Sequence, residues 1–83
     1  MYYRIRKDKR NELQQGKTLT YIAEKYGSSR QYITNVFNGK VLATEDSAKK
    51  ILKTLAEDSL DVATKINQQG TEETLKYFFE EIE

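Results

Sequence analysis

The chain has 83 residues, enough for one small domain, and contains no cysteine and no histidine. Their absence excludes disulfides, thiolate metal sites and a histidine general base. Residues 1–50 carry eleven basic and five acidic side chains, a balance of +6, whereas residues 51–83 carry three and eight, a balance of −5. This division predicts a basic half that binds an anion, with chance segregation as the alternative because 33% of all residues are charged.

No apolar run approaches the roughly 20 residues that a membrane-spanning helix needs. No apolar stretch follows the basic amino terminus either, as it would in a signal peptide. We therefore expect a cytoplasmic protein without a membrane partner.

Helical spacing of apolar residues dominates the chain, and it predicts an all-α fold, a small bundle of five to six helices. The first helix is expected over residues 3–15 and is largely polar. Tyr2, Ile5, Lys9 and Leu13 would form a weak face along it, and Gly16 would end it.

Two short helices follow. The first spans residues 18–26 with Thr18 as its N-cap, and Gly27 stands where a residue with positive φ is wanted. Ser28 and Ser29 offer an N-cap for the next helix, which runs to about Phe37 and is closed by the Asn38-Gly39 turn.

Thr44 can cap a fourth helix, and a further cap at Ser59 favours a break there over one continuous helix through residues 45–69. Gln69-Gly70 ends this segment, which divides the chain into a domain over residues 1–69 and a carboxyl-terminal amphipathic helix over residues 70–83. That helix carries an apolar stripe and either packs on the domain or forms a dimer interface between two copies. The stripe consists of Leu75, Phe78, Phe79 and Ile82.

The second and third helices have the spacing of a helix-turn-helix. Such a unit needs a small residue where the helices cross and a turn residue four positions later, and Ala23 and Gly27 meet both requirements. Ile33 and Val36 then anchor the third helix from inside, so that its outer side is free to enter a DNA groove.

The outer side of the third helix carries side chains suited to base reading. Arginine pairs with guanine, glutamine and asparagine pair with adenine, and serine and threonine adapt to either. No Asp or Glu lies between Gly27 and Thr44, as expected for a surface that faces an anion. The predicted base-reading residues are Ser29, Arg30, Gln31, Thr34 and Asn35.

Phosphate contacts are expected from basic and hydroxyl side chains beside the helix N-termini, whose free N–H groups favour anions. These residues are Lys17, Thr18, Thr20, Arg30 and Lys40. The basic cluster over residues 4–10 either adds to this set or is a solvated helix face.

The stretch TLTYIAEKYGSSRQYITNVFNGK, residues 18–40, resembles the helix-turn-helix of phage repressor and Cro-type regulators, the lambda-repressor-like or XRE family. The resemblance extends weakly to about residue 56. It implies base reading by the residues at positions 29, 30, 31 and 35, and phosphate contact by Asn38 and Lys40. The chain departs from the family at Leu19, where glutamine is usual, at Ser28, usually apolar, and in the loop 41–43, which lacks a common proline.

Together these features predict a sequence-specific double-stranded DNA-binding regulator, a small phage or mobile-element repressor that works as a homodimer. An enzyme is not expected, nor a cofactor, because neither a phosphate-cradling glycine loop nor a carboxylate pair in a pocket is indicated. The alternative is a protein-binding antirepressor or inhibitor that reuses the fold. Its partner would bind the acidic carboxyl-terminal region, which contains Glu72-Glu73 and Glu80-Glu81-Glu83.

Overall fold

The computed structural model describes residues 1–82, and Glu83, the last member of the acidic clusters, lies outside the described residues. Within these residues the chain forms five α-helices and three short strands. In order they are β1 (Tyr2–Ile5), a 3₁₀ turn (Lys7–Lys9), α1 (Arg10–Gln14), α2 (Leu19–Tyr26), α3 (Arg30–Phe37), β2 (Ala43–Thr44), α4 (Glu45–Ala56), α5 (Leu60–Phe78) and β3 (Phe79–Ile82).

The fold is mostly helical, but the expectation of an all-α protein is corrected by a three-stranded antiparallel sheet of order β2-β1-β3. The amino-terminal strand is central: Tyr2 pairs with Thr44, and Arg4 and Ile5 pair with Glu80 and Phe79. The ends of the chain are therefore joined through main-chain hydrogen bonds.

The predicted first helix is wrong over its first half. Residues 2–5 alternate outward and inward with period two, so that Tyr3 and Ile5 are buried while Tyr2 is half exposed. The expected helical face through Tyr2 and Lys9 does not form, and only Arg10–Gln14 is α-helical. This short helix buries Leu13 and ends in left-handed backbone at Gln15 and Gly16.

The helix starts follow the predicted caps. The hydroxyl oxygens of Thr18, Ser29, Thr44 and Ser59 each accept the backbone N–H three residues later, at 3.1 to 3.3 Å. This is the N-cap geometry that satisfies one of the free donors of a helix start. The break at Ser59 between α4 and α5 is confirmed.

Gly70 interrupts α5 with a φ of 87° and a ψ of 164°, after which the helix resumes. The Thr74 hydroxyl donates to the Gly70 carbonyl oxygen at 2.8 Å, four residues back at the kink. The predicted continuous last helix is corrected: it ends at Phe78, and Phe79 and Ile82 lie in β3.

The apolar stripe at the carboxyl end packs on its own chain. Leu75, Phe78 and Phe79 are each about 1% exposed within the single core cluster, and Ile82 is half buried. A dimer contact through these residues would require this end of the chain to exchange between copies, and it stays a prediction.

Candidate nucleic-acid interface

The turn between α2 and α3 is built on Ala23 and Gly27. The backbone N–H groups of Gly27 and Ser28 both donate to the Ala23 carbonyl oxygen, at 2.9 and 3.1 Å. Gly27 has a φ of 90°, a conformation that glycine adopts without strain. A Cβ at residue 27 would meet nothing within 4 Å, so conformation rather than space requires this glycine.

The inner face of α3 is anchored in the core. Ile33, Val36 and Phe37 are buried, and Ala23 on α2 is buried beneath them as part of the same cluster. Because these anchors are aliphatic and aromatic side chains in a close-packed interior, α3 is held as a rigid element.

Four of the five predicted base-reading side chains lie on the opposite face of α3, and Ser29 precedes the helix as its N-cap. Ser29, Arg30 and Gln31 are exposed, and Thr34 and Asn35 are half buried. Tyr32 lies at the edge of this face, with its ring centroid 6.1 Å from that of Tyr26. The structure thus places Arg30, Gln31, Thr34 and Asn35 on one outward surface, with Ser29 at the start of the helix.

Two of these side chains are joined. The Gln31 amide Nε2 donates to Asn35 Oδ1 at 3.3 Å, one helical turn away. The Asn35 carbonyl oxygen also accepts the backbone N–H groups of Lys40 and Val41, at 2.9 and 3.2 Å. Asn35 therefore orients Gln31 with its side chain and holds the turn after α3 with its main chain.

The predicted phosphate-binding residues form two groups, one at the start of α2 and one after the end of α3. Lys17, Thr18 and Thr20 lie at the start of α2, where the Thr18 oxygen is occupied as N-cap acceptor and its O–H can still donate. Asn38 and Lys40 are exposed after α3, tied to it by backbone bonds to Thr34 and Asn35. Among residues 1–82 no side-chain hydrogen bond joins the two groups.

Asp58, in the turn between α4 and α5, is held by two side chains of α2. The Lys25 ammonium lies 2.9 Å from Asp58 Oδ2, and the Tyr21 hydroxyl donates to the same oxygen at 2.6 Å. The Tyr21 hydrogen bond and then Lys25 hold the pKa of the Asp58 carboxyl below its ordinary value, and the Asp58 contact raises the pKa of Lys25. This cluster connects α2 with the turn between α4 and α5.

Two of the three departures from the family pattern, at Leu19 and in the loop 41–43, have structural reasons. Leu19 is half buried against the core, so it contributes packing where a glutamine would contact DNA. The segment 41–43, which lacks the usual proline, leads into β2, and Ala43 pairs there with Tyr3. A strand that pairs with β1 replaces the proline-containing loop.

The amino-terminal basic cluster, expected on one helix, is divided by the fold. Arg6 Nε donates to the Lys76 carbonyl oxygen, and Lys9 Nζ donates to the Tyr77 hydroxyl, both at 3.0 Å. Arg4, Lys7 and Arg10 instead line a cleft beside the end of α3. The sequence shows the positive charge but not this division, because the division depends on pairing between the two chain ends.

The described part of the chain has no helix long and apolar enough to cross a membrane. Within residues 1–82, no group of three or more carboxylate side chains is placed to hold a metal ion.

No curated protein and no solved structure is detectably similar to the chain. The family model of the helix-turn-helix proteins, XRE type, matches residues 7–62, which include α2, the turn and α3. The matched region covers more than half of the chain and the geometry of its turn agrees with the motif. The chain therefore belongs to this helix-turn-helix family of DNA-binding transcription regulators.

Proposed function

We propose that the protein is a sequence-specific regulator that inserts α3 into the major groove of double-stranded DNA and represses transcription by occluding polymerase. The observation that carries the proposal is the outer face of α3. It presents Arg30, Gln31 and Asn35 together on a rigidly anchored helix, and no carboxylate lies between Gly27 and Thr44. An arginine fork and two amides are the groups that read guanine and adenine in the major groove.

Ser29, Arg30, Gln31, Thr34 and Asn35 are assigned to bases in this proposal. The Gln31–Asn35 hydrogen bond restricts both amides before DNA binds, which lowers the entropy lost on binding. The residues assigned to phosphates lie at the start of α2, at Lys17, Thr18 and Thr20, and directly after α3, at Asn38 and Lys40. They would fix the orientation of α3 without reading sequence.

The proposed working form is a homodimer, since two copies place two recognition helices in major grooves about 34 Å apart and read a palindrome. A small repressor from a phage or mobile element fits the resemblance over residues 18–40. Sedimentation equilibrium of the protein with and without its selected duplex tests the dimer. One copy per duplex containing two half-sites would contradict it.

The experiment is selection from random duplexes with sequencing, at two salt concentrations. The wild type is compared with Arg30→Ala/Gln31→Ala and with a matched control, Lys53→Ala/Gln68→Ala, which removes a cation and an amide from exposed positions on α4 and α5. The wild type and the control should enrich the same palindromic motif, which the α3 variant should lose. Weak binding without a motif, shared by all three proteins, would contradict the proposal.

The second candidate is a protein-binding antirepressor or inhibitor, and Leu19 is the observation that favours it. This side chain packs against the core where a DNA-contacting glutamine is usual. Its partner would bind the acidic carboxyl-terminal region, where Glu72, Glu73 and Glu81 are exposed. The same selection separates the two functions, because this candidate predicts no enriched motif.

A further inference from the structure

A basic cleft of about 370 Å³ lies between the amino-terminal strand and the carboxyl end of α3. Its floor is apolar and consists of the buried residues Ile5 and Phe37. Its polar lining consists of Arg4, Lys7, Arg10, Asn38, Gly39 and Glu80.

The fold assembles this cleft from three separate segments. Arg4 is on the outward face of β1, and the 3₁₀ turn and α1 that follow bring Lys7 and Arg10 to the same side. Gly39 allows the close approach of Arg4: a Cβ at residue 39 would lie 3.3 Å from Arg4 Cδ, and the φ of Gly39 is 78°. The aliphatic part of Arg4 therefore covers the turn that ends α3.

The charge of the cleft is unbalanced, because three cations face the single carboxylate of Glu80. Arg4 Nε and Nη2 both lie 2.7 Å from Glu80 Oε1. Within residues 1–82, Lys7 and Arg10 have no carboxylate within 4.0 Å. The cleft thus holds two cations without a protein anion, next to a third that is already paired.

We propose that this cleft binds backbone phosphates of DNA that flank the bases read by α3, with Lys7 and Arg10 as the contacting cations. The inference rests on the proposed function. The cleft is continuous with the expected phosphate contacts, since Asn38 both lines it and follows α3 directly. Lysine and arginine donate only, and phosphate oxygens accept only, so the two are chemically matched.

Glu80 has a role of its own in this arrangement. Its carboxylate occupies the Arg4 guanidinium in the free protein, where a phosphate would make the same charge-assisted hydrogen bonds. Glu80 occupies two nitrogen atoms of Arg4, and its negative charge repels a phosphate, so Glu80 weakens DNA binding. The main-chain pairing of β1 with β3 holds the two segments together without this side chain.

The test measures the affinity for the selected duplex and for an unrelated duplex across a salt series. The variants are Lys7→Gln/Arg10→Gln and, separately, Glu80→Gln. The control is Lys53→Gln/Lys76→Gln, which removes the same charge from exposed positions of α4 and α5 outside the cleft. Thermal melting followed by circular dichroism checks that each variant is folded.

Loss of two phosphate contacts should lower the salt slope, d log K/d log[salt], by about 1.8 in magnitude and the affinity at 0.15 M salt about thirtyfold. The loss should be equal for both duplexes, because phosphates carry no sequence information. Glu80→Gln frees one arginine and should raise the affinity about fivefold and the slope by about 0.9.

If the Lys7→Gln/Arg10→Gln variant has the same salt slope as the control variant while the wild type still binds its motif, phosphate binding by the cleft is refuted and the proposed function is not. An unchanged or weaker affinity for Glu80→Gln would overturn the role of Glu80. A wild type that shows no DNA binding at low salt would overturn the proposed function and the cleft together. The three failures are therefore distinguishable.

Discussion

Replacing Gly27 by alanine tests the geometry on which α3 depends. The φ of 90° at this position places an alanine in left-handed backbone, which costs about 1–2 kcal/mol. Alanine also stabilises by about 0.4–1 kcal/mol, because it restricts the unfolded chain. Since a Cβ here meets nothing within 4 Å, no steric clash adds to the balance, and we expect a net loss of about 1 kcal/mol.

Urea denaturation measures this loss as a lower transition midpoint at unchanged m-value. For a domain of this size, 1 kcal/mol corresponds to a melting temperature lower by about 4–8 °C. Gly27→Asn is the matched variant and should lose less, because asparagine tolerates left-handed backbone. If the Gly27→Ala variant is as stable as the wild type, or more stable, the positive φ at this turn is refuted, and with it the helix-turn-helix geometry.

Three further predictions concern the caps, the core and the acid range. Ser29→Ala removes the N-cap of α3 and should lower the free energy of unfolding, measured by urea denaturation, by about 1 kcal/mol. The control Ser28→Ala should lower it by only a few tenths of a kcal/mol, and equal losses in the two variants would contradict the N-cap role of Ser29. Phe78→Ala should lower the free energy of unfolding by about 3–5 kcal/mol, so that circular dichroism detects little folded protein. If the variant is instead a fully folded monomer, Phe78 belongs to a dimer contact rather than to the core. The pKa of Asp58 is lowered in the fold, so its stabilisation is present above its unfolded pKa near 3.8 and is lost as the pH falls through its lower folded pKa. Asp58→Asn should therefore be less stable than the wild type at pH 7, and this difference in stability should shrink as the pH falls below 3.8. A difference that stays the same across the acid range would contradict this.

The helix starts and the turn could be predicted from sequence because their chemistry is local. A hydroxyl at Thr18, Ser29, Thr44 or Ser59 reaches an amide only three residues away. Gly27 and Gly39 likewise mark left-handed backbone at the ends of α2 and α3. The outward face of α3 follows from these limits, since the buried positions Ile33 and Val36 leave only the opposite side exposed.

The sheet could not be predicted because its pairs are distant in sequence. Tyr3 pairs with Ala43 and with Glu81, and nothing within a few residues of Tyr3 reports either partner. Residues 2–5 also contain too few positions to separate a period of two from a period of 3.6. At the other end, Leu75, Phe78 and Ile82 fit helical spacing, so the change to a strand at Phe79 is hidden.

The basic cleft was missed for the same reason. Lys7 and Arg10 are neighbours of Asn38 only because β1 runs beside β3 and the end of α3. The sequence shows five cations in residues 4–10 but not that Arg6 and Lys9 bind the carboxyl-terminal segment. Charge could be counted from the sequence, whereas its division between two surfaces depends on the tertiary fold.

The central claim is that α3 reads bases, and the ratio of affinities for the selected duplex and a scrambled duplex tests it most directly. At physiological salt the wild type should prefer its selected duplex by at least about a thousandfold. Arg30→Ala/Gln31→Ala should lower this ratio at least about thirtyfold, since each bidentate base contact is worth about 1–3 kcal/mol. A wild-type ratio near one, or a ratio that the substitutions leave unchanged, would contradict the account.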